Sequence, residues 1–176
     1  MGINNIFIDK EYFNIIKDYY NSKPVQTLKN IPHHKSSNRL EHSLKVSYKA
    51  YKIAKKHNLD YESTAIAGLL HDLYFNRIND MSTYKEKIEL LTNNHPKDAV
   101  ENAKKHFSLN KKEEDIILTH MWPISKYVPK YKESFVVGYA DKACSFKDAL
   151  CNYQLLKNKL SYNLGVYLIL FFVTRL

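Results

Sequence analysis

The stretch YESTAIAGLLHDLYF, residues 61–75, decides how this chain is read. From Tyr61 to Leu70 it is small and apolar throughout, as a helix in the centre of a fold should be. It then ends in a histidine and an aspartate side by side, His71 and Asp72. Polar groups at the end of a buried helix cost several kcal/mol each unless they find partners. The reading therefore turns on which other His and Asp residues reach that point.

Outward from this helix the chain reads as nearly all helical. Asp9 caps DKEYFNIIKDYYN, which places Phe13, Ile16 and Tyr20 at helical spacing and ends at SKP. IPHHKSSN (31–38) is a loop whose Asn38 caps the helix RLEHSLKVSYKAYKIAKKH. Asn58 can end that helix in a left-handed conformation. FNRINDMS (75–82) is a loop, and Thr83 with Glu86 forms a capping box. Pro96 suits the first turn of HPKDAVENAKKHF, and Asn110 with Glu113 forms a second box that opens NKKEEDIILTHMW. YKESFVVGYADKACSFKDALCNYQLL is one long final helix or two joined ones. Strand-like alternation, internal repeats and linkers are absent. The expected fold is all-α, a single-domain helical bundle over residues 1–176.

Composition bounds the function. With 176 residues, 44% of them hydrophobic, and only 4 Gly and 5 Pro, the chain is globular rather than disordered or fibrous. A formal net charge of +9 favours anionic partners such as phosphorylated small molecules. The lysines are spread along the chain, which argues against a specific nucleic-acid footprint. Cys144 and Cys151, seven apart on a helix, sit roughly 10 Å apart, too far for a disulfide. They read as reduced thiols of a cytoplasmic protein, and no secretory signal or myristoylation pattern is visible. The apolar run from Leu164 to Val173 falls short of the ~20 residues that span a bilayer. It reads as a closing helix or a surface for homodimer formation, not a membrane span.

The candidate ligands come from five helices. His42 shares a face with Val46 and Ile53, His71 and Asp72 end the central helix, and His95 precedes Pro96. His120 lies on the side of Ile116 and Ile117, and Asp141 follows Val137 by four residues. Each alone reads as a core residue; four His and two Asp on inner faces together point to a shared metal centre. His57 and His106 sit in the last turns of Lys-rich helices, where a cation suits the helix dipole, and His33 and His34 lie in a polar loop; none of these is expected to bind metal.

The pattern LEHSLKV…GLLHDL…YADK resembles the HD-domain superfamily of metal-dependent phosphohydrolases, which are all-helical. It falls on His42, His71, Asp72 and Asp141, and the resemblance covers roughly residues 39–148. His95 and His120 are similar to the additional ligands of the subgroup that holds a second metal. The segments around them look most like small bacterial HD proteins described as predicted hydrolases, and a related subgroup hydrolyses dinucleoside polyphosphates. The Gly-Tyr-Pro signature of cyclic-dinucleotide phosphodiesterases is missing. So is the Lys that some oxygenase relatives carry after the His-Asp pair.

The resemblance implies one or two divalent transition metals, Fe, Mn, Zn, Ni or Co. His42, His71, Asp72 and Asp141 would hold one, and His95 and His120 the second, with Asp72 as the bridge. Glu or Asp partners are expected to orient the imidazoles. A metal-bound hydroxide would then attack a nucleotide or other phosphorylated small molecule. Asp72 is the central catalytic residue, with Lys142 and Arg39 as phosphate anchors. MWPISKY (121–127) after His120 offers a pocket wall on which Trp122 could stack a base, but a lone Trp reads first as a packing residue. A metal-retaining regulatory or ligand-binding module without turnover is the alternative, and a basic nucleic-acid or membrane-surface binder a third reading.

Overall fold

The computed structural model describes residues 6–33, 37–75 and 83–173, with side chains of the last helix described as far as 151 and at 153 and 157. The fold is all-α. In chain order the helices are α1 (Lys10–Tyr20), α2 (Lys23–Thr27), α3 (Arg39–Lys56), α4 (Tyr61–Leu70), α5 (Tyr84–Glu89), α6 (His95–His106), α7 (Lys111–Thr119) and α8 (Lys132–Val173).

The expected caps start the helices. Asp9 accepts from Tyr12 N–H at 3.1 Å, and Asn38 accepts from Glu41 N–H at 2.9 Å. Both capping boxes form, Thr83 with Glu86 and Asn110 with Glu113. Asn58 closes α3 at φ 53°, the left-handed region that Asn tolerates.

α4 is the centre of the bundle. Thr64, Ala65, Ala67, Gly68, Leu69 and Leu70 are all fully buried against α1, α3, α7 and α8. A Cβ on Gly68 would stand 2.9 Å from Ser47 Cα, so α3 and α4 touch backbone to backbone there and only glycine fits. Ser47 Oγ donates to Ala65 O at 2.6 Å and accepts from the Tyr12 hydroxyl at 2.8 Å, which ties α1, α3 and α4 at one point.

Three features differ from the sequence reading, and a fourth decides between its two readings of the last helix. Within IPHHKSSN, Pro32–His33 and Ser37–Asn38 pair as a two-residue antiparallel ribbon, too short to leave an alternation. The SKP stop opens a further short helix, α2, followed by a 3-10 turn at Leu28–Asn30. α6 continues from a π-helical turn, Leu90–Asn94, rather than starting at a side-chain cap. α8 is one continuous helix of 42 residues. Residues 76–82 of the expected FNRINDMS loop, and His34, lie outside the described residues, as do the side chains of the apolar run at 164–173. No helix among the described residues is long and apolar enough to cross a membrane.

Candidate metal centre

The end of α4 is a rigid base for the site. His71 caps the helix, and the chain turns at once: Leu73 N–H donates to Leu70 O at 3.0 Å and Tyr74 N–H to Asp72 O at 2.8 Å. Leu69, Leu70 and Leu73 are fully buried on either side of the His-Asp pair, and Asn102 of α6 donates to Leu73 O at 3.0 Å. This apolar clamp fixes where the two polar side chains start.

The six expected ligands come together around it, from α3, the end of α4, the start of α6, the end of α7 and α8. Asp141 Oδ1 lies 2.9 Å from His42 Nε2 and 3.7 Å from His71 Nε2. Asp72 Oδ2 lies 3.8 Å from His71 Nε2, while its Oδ1 lies 3.6 Å from His95 Nε2 and 3.9 Å from His120 Nε2. One Asp72 oxygen thus faces His71 and the other faces the His95–His120 pair. All six residues are buried.

Three of the four imidazoles are oriented by the backbone rather than by the acidic side chains expected from the sequence; His42 instead meets Asp141 through Nε2. His71 Nδ1 is 2.8 Å from Gly68 O, His95 Nδ1 3.0 Å from Leu90 O, and His120 Nδ1 2.7 Å from Ile117 O. A carbonyl oxygen only accepts, so each Nδ1 carries the proton and donates it. In its neutral form each of these rings then turns a bare Nε2 lone pair inward. The Nε2 atoms of His95 and His120 stand 2.9 Å apart, and His71 Nε2 is buried with no hydrogen-bond partner among the described residues.

Two facing lone pairs repel unless a cation lies against them. A proton is disfavoured: burial, with the neighbouring His71 and His95, pulls the His120 imidazole down to about 3, and burial also lowers His95. A divalent metal meets the need. His42, His71 and Asp141 offer ligand atoms within 4.8 Å of one another, and so do His71, Asp72 and His120. Imidazole nitrogen with carboxylate oxygen is a donor set that suits transition metals. The residues therefore fit the group.

The carboxylates are ready to bind it. Burial alone would raise Asp72, but the His71, His95, His120 and His42 imidazoles hold it well below the usual carboxylate range. Asp141 is likewise held well below that range, because the His42 hydrogen bond and the nearby His71 outweigh burial. Unlike His95 and His120, His71 is raised: burial lowers it, but Asp72 and Asp141 carry it up to about 9. Without metal His71 therefore favours its protonated form near neutral pH, and a metal bound through its Nε2 would displace that proton.

The two expected phosphate anchors are engaged with protein groups. The Arg39 guanidinium lies 3.6 Å over the Tyr74 ring and donates from Nη1 to Tyr74 O. Tyr74 in turn packs its ring 4.9 Å from that of His95. Lys142 Nζ donates to His120 O at 2.9 Å and Gly138 O at 3.3 Å, so it braces the backbone of His120. Trp122 is not a core residue: it is 39% exposed and meets Phe135 edge to face at 5.3 Å. With Pro123, Tyr139 and Lys142 it lines a cavity of about 290 Å³ beside His120.

Sequence reasoning set His33 aside as a loop residue. The ribbon instead stacks its ring on His42 at 3.9 Å between centroids, with an angle of 28° between the planes. Its place next to Pro32, only a few residues before the capped start of α3, was the available signal. A family model described as HD domain matches residues 39–144. No curated protein and no solved structure gives a match.

Proposed function

The chain belongs to the HD domain family, and from that premise we propose that it is a metal-dependent phosphohydrolase acting on a nucleotide or another phosphorylated small molecule. The observation that carries this reading is the pair of inward lone pairs on His95 and His120, 2.9 Å apart and facing Asp72. A second set of nitrogen ligands beside a His-Asp pair supports two metals rather than one.

In this reading His42, His71, Asp72 and Asp141 would hold the first metal and His95 and His120 the second, with Asp72 placed to serve both. Such metals supply Lewis acidity: they neutralise phosphoryl oxygens and make water acidic enough to attack near neutral pH. The chain supplies position. Gly68 O, Leu90 O and Ile117 O lock three imidazoles in the Nδ1-protonated form, so the Nε2 ligands need no reorientation. Only two of the six ligands are carboxylates, which leaves positive charge at the site and favours an anionic substrate. Lys142 gives two N–H groups to carbonyls and keeps the third for a phosphate oxygen. Arg39 acts through Tyr74 as a positioning residue, holding the turn that carries Asp72. Free Cys144 and Cys151 suit a reducing, cytoplasmic setting.

The test is phosphate release from nucleoside mono-, di- and triphosphates, dinucleoside polyphosphates, cyclic nucleotides and sugar phosphates. Metal-stripped protein is reloaded with Mn, Fe, Co, Ni or Zn. Metal-dependent turnover on at least one class is expected, lost on chelation. A protein that retains metal but turns over no class would instead be a regulatory or ligand-binding module.

A further inference from the structure

A second cavity, of about 540 Å³, opens between α3 and α8. None of the six His and Asp residues lines it. Its rim is cationic: Lys45, Lys49 and Lys52 come from α3 and Lys147 from α8. The acid among its lining residues, Asp148, is paired with Lys45 at 3.3 Å, so among the described residues the ammonium groups of Lys49, Lys52 and Lys147 have no carboxylate partner and can act on whatever enters. The walls are apolar, built from Ile6, Ile53 and Ala143 with the rings of Tyr48 and Tyr139. Lys49 lies 5.3 Å over the Tyr139 ring and Lys52 5.6 Å over the Tyr48 ring. The ammonium groups of Lys49 and Lys52 thus stand over two of the rings that line the cavity.

We propose that this cavity binds an amphipathic anion, a single aliphatic chain ending in a carboxylate or phosphate. Its volume lies within the roughly 300–1,000 Å³ of small-molecule pockets. Apolar walls take the chain without directional bonds, and the three lysines take the head group. A nucleobase is a poorer occupant, because ammonium groups already cover the faces of both rings on which it would stack. The site is independent of the phosphohydrolase reading, since it uses no metal ligand.

Cys144 lines the cavity and Cys151, one helical stretch further on, is exposed. Their relative alkylation rates therefore report occupancy, with Cys151 as the internal control. The full chain, metal-stripped and metal-loaded, is titrated below micellar concentration with dodecanoate, dodecyl phosphate, dodecan-1-ol and inorganic phosphate. Saturable binding of one dodecanoate or dodecyl phosphate per chain, with selective protection of Cys144, is expected in both metal states. A preference between the two anions identifies the head group. Charge reversal at two exposed rim positions, Lys52→Glu with Lys147→Glu, leaves the core untouched and should weaken both anions by roughly tenfold. Dodecan-1-ol binding as tightly as the anions, protection by inorganic phosphate alone, unchanged affinity in the double variant, or interaction only with micelles would each overturn the proposal.

Discussion

Replacing Asp72 by asparagine keeps the shape of the side chain and removes its charge, and should empty both halves of the metal centre together. Asp72 Oδ2 faces His71 Nε2 at 3.8 Å and Oδ1 faces His95 and His120 at 3.6 and 3.9 Å. At an effective dielectric of about 20, a unit charge 3.8 Å away is worth about 4 kcal/mol. That corresponds to about 3 pK units for a proton, and a divalent ion feels twice the field. Metal affinity should therefore fall by at least about three orders of magnitude, and turnover with it. In the metal-free variant the His71 imidazole, now at about 9, should drop, because burial lowers it and the largest opposing charge is gone. Metal analysis, phosphate release and a proton NMR titration of the His71 ring read the three effects. A variant that keeps its metal, turns over within about tenfold of the parent and leaves His71 unmoved would refute the shared role of Asp72.

Three further outcomes follow from the same geometry. His95→Ala and His120→Ala should each lose the second metal, keep the first and slow turnover by roughly two to four orders of magnitude, with circular dichroism unchanged; full metal content and rate would make that histidine structural. Metal-free protein should lose stability as pH rises from about 7.5 to 10, above the ordinary 6.5 at which the unfolded His95 and His120 have already lost their protons. A raised His71 stabilises fully below its ordinary 6.5, and that contribution, up to about 3 kcal/mol, disappears as pH passes about 9; chemical denaturation across that window measures the loss, and bound metal should abolish the trend. Gly68→Ala should lower stability by about 1–3 kcal/mol through the 2.9 Å clash with Ser47 Cα, read as a fall in Tm.

The sequence carried the skeleton of this site because its devices are local. Asp9, Asn38, Thr83 and Asn110 act on N–H groups within three residues, so each cap is visible as a residue type before an apolar run. The gathering of His42, His71, Asp72, His95, His120 and Asp141 was legible because each shares a helix face or end with core residues. The orienting groups were not legible. Gly68 O, Leu90 O and Ile117 O are backbone atoms, and every residue has one, so no side-chain type marks them. Arg39 was readable as a cation near the site but not as a ring-stacked donor to Tyr74, since that contact joins positions 35 apart. Trp122 looked like core by residue type alone, whereas its place after the α7 terminus leaves it partly in solvent. The His33–His42 stack depends on a ribbon whose two-residue strands have no periodic signal.

Metal content tests the central claim most directly. The purified chain is analysed for transition metals as isolated, then stripped and titrated with Mn, Co or Zn by calorimetry, with the protons released measured alongside. The geometry predicts up to two metals per chain and proton release near neutral pH as metal displaces the proton on His71. No metal on isolation, together with no uptake by the stripped protein, would contradict the account.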